Sequence, residues 1–196
     1  MSFAVRLAEK KDCPAMLDIY SYYVQETVVS LEYTPPSLDG FESRFDAYSA
    51  RYPWLVCEMD GAVAGYAYAR RFKERAAYDW SAETTVYVQH GMHRRGCGRA
   101  LYSCLLDILR LQGFLTAVSV ICVPNEKSEA FHTAFGYTLR GVFPNIAYKA
   151  GAWRSSGWYA LTLADYSESP APPLPIYELK HLPAFSALLE RYSKML

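Results

Sequence analysis

Two rhythms of hydrophobic and polar positions run along this chain. Phe3 to Leu7 reads as a first strand. Asp12 is placed to cap a helix that tolerates Pro14 in its first turn. Met16, Ile19, Tyr20 and Tyr23 then recur at helical spacing. Val28 to Ser37 breaks the pattern at Pro35-Pro36. Ser37 caps a second helix with Phe41, Phe45 and Tyr48 on one face, and Pro53 ends it. Trp54 to Met59 and Ala62 to Ala69 flank the turn pair Asp60-Gly61 and predict a hairpin. Glu83 to Val88 is strand-like, rich in Thr, Val and Tyr. After a loop over Gly91 to Gly98, Leu101, Leu105, Ile108, Leu109 and Gln112 mark a helix closed by Gly113. Ala117 to Val123 is almost continuously apolar, as in the middle of a sheet. Asn125 caps a short helix that stops at Gly136, and Tyr137 to Tyr148 with Trp153 to Leu163 form a last hairpin. The order β-α-α-β-β-β-α-β-α-β-β predicts one α/β domain over residues 1–165, a mixed central sheet flanked by helices. Ser167 to Pro175 reads as an extended Pro-rich linker. Phe185, Leu188, Leu189 and Tyr192 give Leu182 to Tyr192 an amphipathic helical face. Residues 166–196 are therefore expected to lie outside the α/β domain.

Composition narrows the class. With 196 residues, 52% of them hydrophobic and 20% charged, the chain can bury a core of its own. Twenty basic and 20 acidic residues cancel, so nothing draws the whole molecule to nucleic acid or an anionic membrane. No run approaches the roughly 20 apolar residues of a membrane helix. The five cysteines are scattered without a C-x-x-C pair, which predicts reduced thiols and a cytoplasmic protein. His90 and His93 lack a third ligand nearby, so no metal is expected.

One segment carries chemistry. A strand ending at Val88 runs into His93-Arg94-Arg95-Gly96-Cys97-Gly98-Arg99, and a helix begins there. Glycines allow close backbone approach, and a helix N-terminus offers free N–H groups and a positive dipole. Arg94, Arg95 and Arg99 add mobile charge, so the arrangement suits a pyrophosphate. A glycine pair alone would be an ordinary strand–helix turn; the three arginines favour the anion site. Neither a P-loop nor a dinucleotide fingerprint is present.

This loop resembles the [QR]-x-x-G-x-[GA] motif of the GNAT superfamily of N-acetyltransferases, in a frame that puts His93 in the Gln/Arg slot or in one that starts at Arg95. The element order from Phe3 to Leu163 is similar to that superfamily. Several stretches resemble the phosphinothricin and methionine sulfoximine acetyltransferases: Glu32-Tyr-Thr-Pro-Pro-Ser37, Tyr52-Pro-Trp-Leu-Val56, Ala64-Gly-Tyr-Ala-Tyr-Ala69, Ala77-Tyr-Asp-Trp80, Glu83-Thr-Thr-Val-Tyr-Val88, Phe131-His-Thr-Ala-Phe-Gly-Tyr137 and Lys149-Ala-Gly-Ala-Trp153.

The resemblance implies acetyl transfer from acetyl-CoA to the amino group of a small amino-acid-like substrate. Val86, Tyr87 and Val88 would lend backbone groups to the cofactor arm. Arg94, Arg95, Gly96, Cys97, Gly98 and Arg99 would hold the pyrophosphate, and Asn125 would touch the cofactor or simply cap its helix. Glu83 is implied as the base that frees the amine. His132 stands where many superfamily members carry a Tyr beside the departing thiolate; a helix histidine without such a role is the alternative. Arg75 and Tyr78 match substrate-contacting positions. Leu31 would wall the pocket, where herbicide-selective members carry Phe. The resemblance implies a homodimer. Alternatives are acetylation of another amine or a protein N-terminus, or a non-catalytic acyl-CoA-binding module.

Overall fold

The computed structural model describes residues 3–195. Its centre is a seven-stranded sheet in the order β1-β2-β3-β4-β5-β7-β6. The strands are β1 (Phe3–Leu7), β2 (Trp54–Met59), β3 (Ala62–Arg71), β4 (Ser81–Val88), β5 (Thr116–Val123), β6 (Thr138–Lys149) and β7 (Ala152–Thr162). Successive strands are antiparallel except β4 and β5, which run parallel. That pairing covers only Ser81↔Thr116, Ala82↔Ala117 and Glu83↔Val118, after which the strands diverge. β4 stays paired with β3 as far as Val88, and β5 with β7 as far as Val123.

Side-chain alternation gives the sheet two buried faces. In β2, Trp54 and Val56 join a cluster with Met16, Ile19 and Val24 of α1 (Cys13–Gln25) and Phe41 and Phe45 of α2 (Leu38–Ser49). Leu55 and Cys57 point the other way, into a larger core under α3 (Cys97–Gln112). α4 (Glu126–Ala134) follows β5. No helix among the described residues is long and apolar enough to cross a membrane.

Two details depart from the sequence expectations. Asp12 occupies the N-cap position of α1 but makes no capping bond. Its carboxylate receives two hydrogen bonds from Arg6, at 2.7 and 2.8 Å, and one from the Glu9 amide. The nearby cation and amide outcompete the helix terminus for its oxygens.

The tail, expected outside the α/β domain, is built into it. Residues 166–175 form no regular element, yet Trp80 donates to Ala171 O at 2.9 Å, and Gln112 and Leu174 exchange bonds at 2.7 Å. Two helices follow, α5 (Ile176–Leu179) and α6 (Pro183–Ser193). Ile176, Leu179, Phe185 and Tyr192 are buried in the same core as α3, and Ser193 Oγ accepts from Val5 N at 3.0 Å. An apolar helical face must bury itself somewhere, and the outer side of α3 offers the matching surface.

Candidate active site

The divergence of β4 and β5 begins at a knot of hydroxyls. Thr84 Oγ1 lies 2.9 Å from each of Tyr102 OH, Ser119 Oγ and Tyr137 OH. All four residues are buried, so these bonds join the two strands where their backbone ladder stops. Beyond the knot, the edge of Val86, Tyr87 and Val88 facing β5 has no strand partner. An extended chain could add there, between two strands already committed on their outer sides.

At the far end of β4 the chain turns through left-handed backbone at Gly91, Arg94 and Gly96, and α3 starts. Gly96 is its N-cap, and no side chain caps the first-turn N–H groups. They remain open to an anion along the helix axis. Gly98 is needed for close packing: a Cβ there would sit 3.2 Å from Val88 Cγ2. Gly65 on β3 is tighter still, since a Cβ would meet Cys97 Sγ and Tyr87 O at 2.9 Å. Cys97 points its thiol into the core, so it can offer a ligand only backbone. Arg94, Arg95 and Arg99 are exposed and form no ion pair with described residues. His93 anchors the turn: its Nε2 lies 3.0 Å from Tyr23 OH, which donates to Val88 O at 2.5 Å. With the phenol proton spent on that carbonyl, the imidazole nitrogen is the donor. Open amides, a groove with an unpaired strand edge and three unpaired arginines fit the pyrophosphate and pantetheine arm of acetyl-CoA.

The same cleft widens into a cavity of about 670 Å³. Leu31, Glu83, Val86, Tyr87, Asn125 and His132 all line it, so six of the residues singled out in the sequence meet in one place. Glu83 accepts a 2.6 Å hydrogen bond from Arg70 Nη2, its direct neighbour across β3 and β4. One wall is aromatic, with Trp54 stacked on Tyr68 at 4.2 Å. On the α2 side Arg44 pairs with Glu32 at 2.6 Å.

His132 is 6% exposed and surrounded by the rings of Tyr102, Phe131 and Tyr137. Its Nδ1 is 2.7 Å from Ser128 O. A carbonyl can only accept, so Nδ1 carries the proton and the neutral ring presents a lone pair at Nε2. Burial lowers its pKa, and the Ser128 carbonyl offsets part of that. Asn125 caps α4 by accepting from Ser128 N at 3.2 Å, while its own amide donates to Glu129 at 2.7 Å.

The loop carrying Leu31 is held from below by Lys149. This lysine is 6% exposed and donates to Val24 O and Ser30 O, both at 2.7 Å. The two carbonyls flank the bend between α1 and the cavity wall, so one ammonium closes it. Arg75 and Tyr78 do not reach the cavity. They lie exposed on the turn before β4, where Tyr78 packs edge-on against Phe72. Sequence reasoning passed over Arg70, Arg44, Glu32 and Lys149. For Arg70 a signal existed, because the spacing Tyr66-x-Tyr68-x-Arg70 puts it on one strand face with two aromatics.

Comparison with known proteins agrees with this geometry. A domain model described as an acetyltransferase (GNAT) domain matches residues 5–158. The chain is 41% identical to a phosphinothricin N-acetyltransferase of Streptomyces viridochromogenes, over 88% of its own length and 92% of the relative. It is 30% identical to an L-methionine sulfoximine/L-methionine sulfone acetyltransferase of Salmonella typhimurium, over 83% of this chain and 96% of that one. Among solved structures, it is similar to a GNAT superfamily phosphinothricin acetyltransferase from Sinorhizobium meliloti in complex with acetyl-CoA. That similarity has a TM-score of 0.81 and 31% identity, covering 88% of this chain and 97% of that one. A domain match of this extent and a relative this similar decide the family: the chain belongs to the GNAT superfamily and is an acetyl-CoA-dependent N-acetyltransferase.

Proposed function

We propose that this enzyme acetylates the α-amino group of a small amino acid of the phosphinothricin, methionine sulfoximine or methionine sulfone type. The observation that carries this reading is Glu83: its carboxylate lines the cavity at the last paired position of β4 and β5, beside the free strand edge. The names of the similar enzymes support the substrate class.

In this reading the edge of Val86, Tyr87 and Val88 holds the pantetheine arm, and the amides of Cys97, Gly98 and Arg99 with Arg94 and Arg95 hold the pyrophosphate. Glu83 takes a proton from the substrate ammonium, directly or through water. The freed amine forms an N–C bond to the acetyl carbonyl carbon as the C–S bond breaks. A backbone N–H of the β4 edge steadies the negative charge that gathers on the carbonyl oxygen. The nitrogen's second proton ends on the departing thiolate. His132, neutral with its lone pair at Nε2, accepts that proton and passes it on.

Glu83→Gln keeps the size of the side chain and removes the base. Turnover, read as released CoA thiol, should fall roughly 100-fold or more, with acetyl-CoA affinity retained in calorimetry. Near-normal turnover would move the base elsewhere.

We also propose that two copies pair through the β6–β7 hairpin. Leu139, Val142, Phe143, Ile146, Tyr148 and Trp153 are all exposed on it, and clustered exposed apolar residues of this kind mark an interaction surface. Five unpaired, buried cysteines suit a reducing cytoplasm.

A further inference from the structure

We propose that Arg70 is the receptor for the α-carboxylate of the substrate, while its cross-strand partner Glu83 receives the neighbouring ammonium. The proposal rests on the amino-acid reading above and gives it a specific reading group.

Arg70 and Glu83 stand directly opposite each other on antiparallel strands, so their side chains rise from one face of the sheet. Both line the cavity. A guanidinium carries five N–H donors, and the 2.6 Å bond to Glu83 uses one of them. Arg70 makes no other hydrogen bond or ion pair to a described residue. Its side chain is 44% exposed against 16% for Glu83, and its Nε is buried with no hydrogen-bond partner among the described residues. An ion pair this exposed contributes little to stability. Its value lies in the anion to which the free donors can donate.

An α-amino acid has its ammonium and carboxylate on a single carbon. A site for it needs an anion and a cation close together, in complementary order, and Glu83–Arg70 is such a pair. The zwitterion exchanges one protein–protein contact for two protein–substrate contacts and leaves the cavity's charge unchanged. A guanidinium can grip a carboxylate with two parallel hydrogen bonds. A diamine or arylamine would satisfy Glu83 and leave Arg70 without an anion. Arg44 is already paired with Glu32 on the opposite wall, and Arg75 lies outside the cavity.

The test uses the full chain, acetyl-CoA and two acceptors: methionine sulfone and its decarboxylated analogue, methylsulfonylpropylamine. Wild type should prefer the amino acid in kcat/KM. Arg70→Gln should reduce that preference roughly tenfold to a hundredfold, mainly by raising KM for the amino acid. Arg70→Lys should restore only part of it, because a point charge lacks the planar fork. Unchanged acetyl-CoA affinity in calorimetry shows that the variants are folded. Equal losses on both acceptors would overturn the proposal and leave Arg70 as a group that merely orients Glu83. Loss of the preference in Arg75→Gln but not in Arg70→Gln would overturn it in favour of the exposed turn. A wild-type enzyme that acetylates both acceptors equally would instead defeat the amino-acid reading itself.

Discussion

His132 shows how one buried residue can tie stability to pH. Its ring is held neutral by burial, with Nδ1–H committed to Ser128 O. The folded pKa therefore lies below the ordinary value of 6.5, which the unfolded chain regains. Below about pH 6.5 the unfolded chain binds a proton that the folded one refuses, so stability falls as pH falls. Above that value the two states bind equally and the slope vanishes. Denaturant midpoints from pH 7.5 to 5 should decline with a limit of about 1.4 kcal/mol per pH unit for this one proton. His93 shifts in the same direction, so the informative quantity is the difference between wild type and His132→Asn. A variant whose pH slope matches wild type would show that His132 titrates normally.

Among the elements, β6 stands apart. It is 12 residues long, lies at the sheet edge and is exposed along almost its whole length. A long apolar edge is a liability for a soluble monomer, and pairing is one way of covering it. The hairpin also supports the active cleft, because Lys149 at the end of β6 props the Ser30 loop and the Tyr33 hydroxyl donates to Tyr148 O. Light scattering should give twice the chain mass for wild type. Val142→Lys with Ile146→Glu, both on exposed positions, should shift it toward the monomer and raise KM for the amino acid more than it weakens acetyl-CoA. A monomeric wild type would end the pairing proposal.

For the molecule as a whole, residues 176–195 belong to the fold. Phe185 and Tyr192 sit under α3 at 3% and 6% exposure, and Tyr192 OH donates to Asp107 at 2.7 Å. Each fully buried large apolar side chain contributes roughly 1.5–3 kcal/mol, against a typical total stability of about 5–15 kcal/mol. Ending the chain near Pro170 removes four such residues and uncovers the side of α3 away from the cleft. The truncated protein should unfold at much lower denaturant or fail to stay soluble. Phe185→Ala alone should cost about 3–5 kcal/mol in chemical denaturation. A truncated chain with wild-type stability would mean that the tail is a passenger.

The sequence by itself determined the order of the elements and the turn before α3. These depend on short-range physics: period two or 3.6, caps, and a glycine that one turn needs, as at Gly96. A resemblance carried by local motifs then brought Glu83, Asn125 and His132 into one site. Tertiary structure decided everything that depends on partners distant in sequence. Asp12 is 6 residues from Arg6, Arg70 is 13 from Glu83, and Lys149 is 119 from Ser30. The Pro-rich tail looked detached because its composition promises no regular structure, yet its apolar positions match a face of α3 that only the folded sheet presents. Arg75 and Arg70 are both arginines near the same strand end. Pairing with Glu83 on β4 fixes Arg70 on the cavity wall, while Arg75 lies past the end of β3 on an exposed turn that no strand pairing orients.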